Sequence, residues 1–371
     1  MNDDTERRAA KVLFLTQGRH DAAARLRVYQ YLPYFRAAGL DPVVVPCRPE
    51  RSFTAFRSSP ILWPLRLMRH AAMAPSRARG LVEARKCDVV FLQRDLWWGV
   101  SPYLEKAIAK VNNNIVFDFD DAIWLYYRRW KTNPIASIAR QAKLILAGNS
   151  YLAEYVMPLC EHVKIVPTPV DTTRIRPHGT SRGDGVIRIL WTGSSSTLPD
   201  LRSQAPALAE VCRLERECRV VVVADRPPTW EVDAPIEFVP WNKTSEVTEL
   251  ERADIGIMPL PDSPWTRGKC SFKLLQYMAA GLPAVASPVG MNREVMRDCL
   301  DGGIVAESHR EWVEALVRLI RNPSLRAELG ERGRARVVRH YSLECWGPQV
   351  AAMLAEQAQC QEGMGTRQQH R

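Results

Sequence analysis

The sequence lacks paired cysteines. Its nine cysteines are scattered, odd in number and without a CxxC pair, so neither a disulfide framework nor a cysteine-based metal site is indicated. Hydrophobic residues make up 46% and charged residues 25% of the chain, the usual globular mixture, so a core can form without such staples. We expect reduced thiols and an intracellular protein.

Long apolar runs are also missing. The N-terminus is charged, and the apolar run from Val12 to Leu15 is too short for a signal peptide or a membrane span. We therefore expect the protein to stay in the cytoplasm. No GxGxxG motif is present either, which weakens a dinucleotide-dependent oxidoreductase.

The positive charge lies in the first half. Residues 1–172 contain 25 Lys and Arg against 16 Asp and Glu, or +9, whereas the remainder contributes +1 to the total of +10. Nine of these cations fall between Arg48 and Lys86, interleaved with apolar residues and with only two acids. Such a stretch suits an anionic membrane surface, and an ordinary helix with a solvated basic face explains it equally well. Nucleic acid is not expected as a partner because no recognition motif accompanies the charge.

The length of 371 residues favours two domains, since single cores stop growing near about 250–300 residues. Short apolar, β-branched runs alternate with amphipathic segments, which predicts parallel sheets covered by helices. The predicted strands are Val12–Thr16, Pro42–Pro46, Asp88–Gln93, Ile115–Asp118, Lys143–Ala147, Val163–Pro167, Ile187–Thr192, Arg219–Ala224, Ile236–Pro240, Ile255–Pro259, Ala284–Ser287 and Ile304–Ala306. The predicted helices are Arg25–Ala38, Pro102–Val111, Ser150–Leu159, Ser245–Ala253, Ser271–Ala280, Glu311–Arg321, Ser324–Val338 and Leu343–Glu356.

A Pro- and Gly-rich stretch after Pro167 reads as a linker between two similar units. The predicted domains are therefore residues 1–172 and 173–342, with residues 343–371 forming a last helix and a frayed tail. Ligands of doubly wound sheets sit beyond the carboxyl ends of the strands, so a cleft between two facing units is the expected place for chemistry.

Two features of the first half indicate binding. Gly18 ends the first strand, and Arg25 and Arg27 follow it. A glycine at this turn would let the backbone approach a phosphate or a sugar, with the arginines nearby. The alternative is a turn glycine with no role in binding. Asp118, Asp120 and Asp121 crowd the end of a buried strand, which is unfavourable unless they face a cation, a donor or a substrate. Alternation places Asp118 and Asp120 on one face and Asp121 on the other.

These carboxylates allow three interpretations. A metal-binding DxD pair would suit Mg²⁺ or Mn²⁺, and a helix N-cap is the structural alternative. We favour Asp120 as a polar group that orients an acceptor hydroxyl, and we also expect Asp121 to bind substrate.

Two features of the second half indicate an anion-binding site. The loop Gly193-Ser194-Ser195 follows a strand and offers hydroxyls and amides to a diphosphate, although a turn with a Ser/Thr cap is possible. Further on, Arg267, Lys269 and Lys273 cluster where a helix begins. The helix dipole disfavours cations there, so a bound phosphate explains them better than folding does.

Three segments resemble the retaining glycosyltransferases of family four: the run Tyr277–Ser287, the strand Asp254–Leu260 before it, and the Asp118–Asp121 cluster. The resemblance covers roughly residues 11 to 346. It implies the GT-B fold of two facing Rossmann-like domains, a nucleotide-sugar donor and no metal cofactor.

By position, the resemblance implies that Gly18 lies in an acceptor-side loop and that Asp120 replaces the usual cleft histidine of the family. It places Gly193 and Ser194 by the donor diphosphate, Trp241 near the nucleotide base, and the last helix back on the first domain.

The sequence also departs from the family. The usual Arg after the loop glycine is Ser194, and the two family glutamates fall on Gly268 and Gln276. We hypothesise that Arg267, Lys269 and Lys273 bind the phosphates instead, and that Gln276 bonds a ribose hydroxyl.

The resulting prediction is a cytoplasmic glycosyltransferase that transfers a sugar with retention to a lipid-linked or cell-surface glycan. Asp120 and Lys273 are the predicted catalytic residues. The alternative is a nucleotide-sugar-binding relative with weakened catalysis.

Overall fold

The computed structural model describes residues 8–48, 63–97, 101–129, 133–177, 184–230, 234–296 and 302–368. They divide into two compact units. Residues up to Pro167 and from Trp346 onward form the first, and Thr168–Cys345 form the second. The sequence boundaries were drawn after residues 172 and 342, close to these positions.

The first unit contains a parallel six-stranded sheet. Its strands are β1 (Ala10–Gly18), β2 (Leu40–Arg48), β3 (Val89–Gln93), β4 (Ile115–Phe119), β5 (Leu144–Ala147) and β6 (Val163–Ile165), in the order β2-β1-β3-β4-β5-β6. Its helices are α1 (Ala22–Arg27), α2 (Leu32–Ala37), α3 (Trp63–Ala84), α4 (Tyr103–Val111), α5 (Pro134–Ala139) and α6 (Ser150–Val156). Central residues such as Val12, Leu13 and Phe14 are fully buried, as expected for strands covered on both faces.

The second unit repeats this plan. Its strands are β7 (Ile187–Thr192), β8 (Cys218–Ala224), β9 (Ile236–Pro240), β10 (Ile255–Met258), β11 (Ala284–Ala286) and β12 (Gly303–Val305), in the parallel order β12-β11-β10-β7-β8-β9. Its helices are α7 (Leu198–Arg202), α8 (Ala205–Leu214), α9 (Lys243–Arg252), α10 (Pro264–Arg267), α11 (Phe272–Ala279), α12 (Met291–Val295), α13 (His309–Arg321), α14 (Pro323–His340) and the start of α15 (Leu343–Gln368). The prediction of an α/β chain with two doubly wound units is confirmed.

Two helix predictions are wrong. The single helix expected over Arg25–Ala38 is split into α1, a 3-10 turn at Tyr29–Tyr31, and α2. Pro33 lies in the first turn of α2, where its missing N–H and fixed φ favour a helix start and oppose a continuous helix. The tail expected to fray after Glu356 is helical to Gln368.

Helix α15 continues from the second unit into the first. Within the first unit, the Asn114 side chain donates to the carbonyl of Gln357 at 2.8 Å. Gly347 faces the Tyr34 ring so closely that a Cβ there would lie 2.5 Å from it.

Much of the basic stretch predicted to meet a membrane falls outside the described residues, which resume at Trp63. In the described ranges, α3 contains the remainder of that stretch up to Ala84, and Arg79, Arg85 and Lys86 are exposed. No helix in the described part of the chain is long and apolar enough to cross a bilayer.

Candidate functional site

Each sheet reverses its strand order beside its first strand. In the first sheet, β1 lies between β2 and β3; in the second, β7 lies between β8 and β10. Connections leave such a switch point in opposite directions and open a crevice at the carboxyl ends of the strands, where α/β sheets bind ligands. The loops after β1 and β3, and those after β7 and β10, are therefore the candidate sites.

The loop after β7 requires a glycine at position 193. The Gly193 amide donates to the carbonyl of Val223 at 2.9 Å. A Cβ added there would lie 2.5 Å from the Trp191 ring and 2.8 Å from the Nζ of Lys273. Both distances are below any tolerable contact, so the missing side chain lets the lysine approach the loop.

Lys273 is the second residue of α11 and reaches back to this loop. Its Nζ lies 4.1 Å from the centroid of the Trp191 ring and donates to the Thr197 hydroxyl at 3.3 Å. Burial lowers its pKa to about 7; the charge of Lys269 adds to this decrease and that of Asp200 opposes it. The ammonium is thus held at the carboxyl edge with limited compensation from the protein, as an anion-binding group would be.

The start of α11 is fixed relative to β7. The hydroxyl of the fully buried Tyr277 accepts the Thr192 amide at 3.0 Å. Gly256 on β10 makes room for the ring, because a Cβ there would lie 2.3 Å from Tyr277. Strand, ring and helix therefore set where the Lys273 side chain begins.

The serines of the loop are engaged locally. Ser194 is exposed, caps the 3-10 turn at Ser195–Thr197, and lies 2.8 Å by its hydroxyl from that of Ser196. Both the amide and the hydroxyl of Ser195 bond to Asp225. Ser195 was predicted to bind a diphosphate. In the structure, its amide and hydroxyl instead donate to the carboxylate of Asp225.

The predicted cluster of three cations needs correction. Arg267 forms a two-pronged ion pair with Asp262, at 2.7 and 2.8 Å, and half of its side chain is exposed. Its position is therefore explained without a phosphate. The Nζ of Lys269 lies 5.3 Å from the Trp265 ring, and its charge acts on Lys273.

The remaining predicted residues of the second unit are Gln276 and Trp241. Gln276 is 3% exposed on α11. Trp241 follows β9, and its ring N–H donates to Glu246 at 3.2 Å. Glu246 also faces Arg174, at 3.5 Å. Sequence reasoning missed Glu246.

In the first unit, Arg27 is buried rather than presented to a ligand. Its guanidinium bonds Asp118 through Nε and Nη2, and its Nη1 donates to the carbonyl of Val166 at 2.7 Å. Both side chains are at most 2% exposed. Burial raises the pKa of Asp118, and the charge and hydrogen bonds of Arg27 oppose that rise. The predicted role of Arg27 as a substrate contact is thus corrected to a structural one.

The other predicted binding residues lie at the same end of the sheet. Gly18 is the last residue of β1 and pairs with Arg48 of β2. Arg25 is in the last turn of α1 and is half-buried. The site assignment of these two residues remains a prediction.

Asp120 and Asp121 share one cation, Arg94. Its Nε donates to Asp120 at 3.1 Å, and its Nη2 contacts Asp121. The expectation that Asp120 and Asp121 face opposite sides is wrong, because β4 ends at Phe119 and strand alternation ends with it. Within the described ranges, no three His, Cys, Asp or Glu side chains come together as ligands of a metal ion.

Sequence reasoning also missed Arg94 and Asp225. Each follows directly on the last residue of a strand, Gln93 for Arg94 and Ala224 for Asp225. A charged residue at that position of a parallel sheet is the signal that was available, since the carboxyl ends of the strands bind ligands.

Part of the second unit is similar to a known protein family. Residues 188–322 match the model of the Glycosyl transferases group 1 family. Over these residues the chain is similar to glycosyltransferases of that family. No curated protein sequence matches it.

Solved structures show that this chain has the GT-B fold. Sucrose-phosphate synthase from Thermosynechococcus elongatus is similar with a TM-score of 0.68 and 14% identity, over 94% of this chain and 99% of that one. HepE of Anabaena, in complex with UDP and glucose, matches equally well, over 94% of this chain and 100% of its own. WaaG, which takes part in lipopolysaccharide biosynthesis, has a TM-score of 0.64 and 14% identity over 92% and 99% of the two chains. The predicted GT-B fold is confirmed.

The family match covers the Gly193 loop, Trp241 and the start of α11. Arg94, Asp118 and Asp120 lie outside it, in the first unit.

Proposed function

We propose that this chain transfers a sugar, with retention, from a nucleoside-diphosphate sugar to a hydroxyl group. The second unit binds the donor and the first unit the acceptor. The observation that carries the proposal is the Lys273 ammonium beside the side-chain-free Gly193, at the switch point of the second sheet.

Lys273 suits a diphosphate by position and by charge. The loop after β7 supplies a close backbone approach at Gly193, and α11 directs its N-terminal amides to the same edge. In the family-four pattern a cation after the loop glycine faces the diphosphate, and this chain has Ser194 there. Lys273 brings a cation to this loop from another part of the chain. HepE, which shares the fold, binds UDP and UDP-glucose.

The proposed reaction exchanges two bonds at the anomeric carbon. The bond from this carbon to the β-phosphate oxygen breaks, and its electron pair leaves with the diphosphate. The acceptor oxygen forms the new bond, and its proton passes to the departing diphosphate. Lys273 stabilises the developing charge, while Asp120 accepts a hydrogen bond from the acceptor hydroxyl and orients it.

We further propose that the reaction is metal-independent. Asp118 and Asp120, the two acids of the possible DxD pair, are each bonded to an arginine. Full transfer activity in EDTA supports this reading, whereas activity restored by Mg²⁺ or Mn²⁺ contradicts it.

A thermal-shift screen of UDP-, GDP- and TDP-sugars tests the donor assignment, since a ligand that binds the folded state raises Tm. The best donor is then assayed for release of the nucleoside diphosphate and for transfer. Lys273→Ala should abolish the shift, and Arg267→Ala, which breaks an exposed pair with Asp262, is the matched control. Binding without turnover would instead support the alternative, a relative with weakened catalysis.

We propose a lipid-linked or cell-surface glycan as the acceptor, reached from the cytoplasmic face of a membrane. The basic first half and the exposed Arg79, Arg85 and Lys86 support this. WaaG and the lipopolysaccharide outer core galactosyltransferase WaaB share the fold. Flotation with vesicles containing phosphatidylglycerol, but not with phosphatidylcholine vesicles, is the expected result; equal binding to both would contradict it.

A further inference from the structure

Arg94 has a backbone conformation that arginine rarely adopts. It follows β3 directly, and its φ is 62°, in the left-handed region. A residue with a Cβ is strained there, and glycine is the residue that avoids this strain. The side chain must therefore provide something that glycine would not.

The turn at Arg94 brings its guanidinium across the end of β4. Its amide still donates to the carbonyl of Asp118 at 2.8 Å, so the pairing of the two strands continues to this residue. Its side chain then holds two consecutive carboxylates, with Nε on the Oδ1 of Asp120 at 3.1 Å and Nη2 on Asp121.

This cluster is accessible, unlike the pair of Arg27 with Asp118. The exposed fractions of the side chains are 18% for Arg94, 14% for Asp120 and 22% for Asp121. A ligand can therefore reach it without unfolding the sheet. A planar guanidinium also fixes the orientation of the carboxylates it binds, which a flexible ammonium does not.

The charge of Arg94 is secure. Burial lowers the pKa of Arg94, but the charges of Asp120 and Asp121 outweigh this, with smaller contributions from Asp21 and Tyr126. The pKa of Arg94 is therefore raised overall, so its guanidinium stays positively charged at any pH at which an enzyme works.

We propose that Arg94 is a positioning residue for the acceptor, which holds the Asp120 carboxylate in the orientation that receives the acceptor hydroxyl. This inference rests on the proposed function, in which Asp120 orients that hydroxyl. Arg94 itself need not touch the substrate.

Arg94→Gly tests this, because glycine relieves the strain at φ 62° while the two carboxylates lose their cation. We expect its Tm to be at or above that of Arg94→Ala, which keeps the strained backbone. The probe is release of the nucleoside diphosphate from the best donor of the thermal-shift screen, with water as the acceptor. We expect kcat to fall by at least about tenfold, as for a misplaced reacting group, while KM for the donor stays constant.

Two further measurements separate positioning from a structural role. Ethylguanidinium should restore part of kcat to Arg94→Gly but not to Asp120→Asn. The double variant Arg94→Gly/Asp120→Asn should be no slower than the slower single variant, because both changes remove the same interaction.

Three outcomes overturn the inference. If Asp120→Asn is slow and Arg94→Gly keeps the wild-type kcat, the inference fails and the proposed function stands. Fully additive losses in the double variant have the same meaning. If Asp120→Asn keeps the wild-type kcat, the proposed role of Asp120 fails and the inference fails with it.

Discussion

The partly buried Lys273 makes donor binding depend on pH in a defined direction. Burial lowers its pKa to about 7, so about half of the molecules carry the ammonium at pH 7 before donor binds. A bound diphosphate favours the charged form and raises that pKa. Donor binding should therefore take up protons, and raising the pH should weaken it.

The size of the effect follows from that pKa. If the bound lysine stays protonated, Kd varies inversely with the fraction of free protein that is charged. That fraction falls about tenfold between pH 6 and pH 8, so Kd rises about tenfold. Tenfold in Kd corresponds to about 1.4 kcal/mol of binding free energy. The diphosphate of a nucleotide sugar does not titrate in this range, so the lysine accounts for the change.

Isothermal titration calorimetry with UDP-glucose, or with the best donor of the screen, measures this directly. Titrations at pH 6, 7 and 8 give the dependence of Kd on pH. Two buffers of different ionisation enthalpy at pH 7 give the proton uptake, expected at about half a proton per donor. A Kd that is constant from pH 6 to pH 8 would refute the reasoning.

Variants of the same cluster sharpen the test. Lys273→Arg stays charged at all these pH values, so its pH dependence should vanish; an unchanged slope would assign the titration to another group. Asp200→Asn removes a charge that raises the pKa of Lys273, so the transition should move to lower pH.

Lys273→Met should be more stable than the wild type and should bind the donor more weakly. The pKa of Lys273 is 10.5 in its ordinary state and about 7 in the folded chain, so the unfolded chain binds more protons between these values. The free energy of unfolding therefore rises with pH across that window. The destabilisation caused by burying the charged Lys273 is present in full below pH 7. Lys273→Met removes this destabilisation, so a higher Tm at pH 7 together with lost donor binding is expected.

Three further substitutions test the fold and the loop. Asp118→Asn leaves the buried Arg27 unpaired and should lower the free energy of unfolding by about 3–5 kcal/mol in urea. Gly193→Ala places a Cβ 2.5 Å from Trp191 and should weaken donor binding measured by calorimetry, by displacing the ring and the ammonium. Tyr277→Phe strands a buried backbone amide and should lower stability by about 1–3 kcal/mol in the same urea titration.

Two of these substitutions have a matched comparison. Ser194→Ala changes an exposed neighbour of Gly193 and should leave the packing of the loop intact. Arg310→Ala removes an exposed i,i+4 partner of Glu314, a kind of pair that contributes little. A loss of stability for Arg310→Ala as large as that for Asp118→Asn would contradict the reasoning from burial.

The sequence predicted the fold well because its signals are local. Runs such as Ile187–Thr192 and Ile236–Pro240 were predicted with the bounds that the structure has. Strands of such sheets are short and rich in apolar and β-branched residues, so they stand out between amphipathic segments. The break between α1 and α2 was missed because the apolar pattern continues through Pro33.

The charged residues were harder to interpret because their partners are distant in sequence. Arg27 and Asp118 are 91 residues apart, and Lys273 and Thr197 are 76 apart. The crowded carboxylates at Asp118–Asp121 correctly predicted nearby cations or ligands. Which cation meets which carboxylate is not readable from their spacing.

By itself, the sequence determined two parallel α/β units, the loop at Gly193, and the family resemblance of the helix that begins beside Lys273. These follow from apolar periodicity and from glycine at a tight turn, which act over a few residues. Only the tertiary structure decided that Arg27 serves the fold, that Arg267 pairs with Asp262, and that Arg94 holds Asp120. Ion pairing depends on distance and burial in space, and both arise only when the strands have come together.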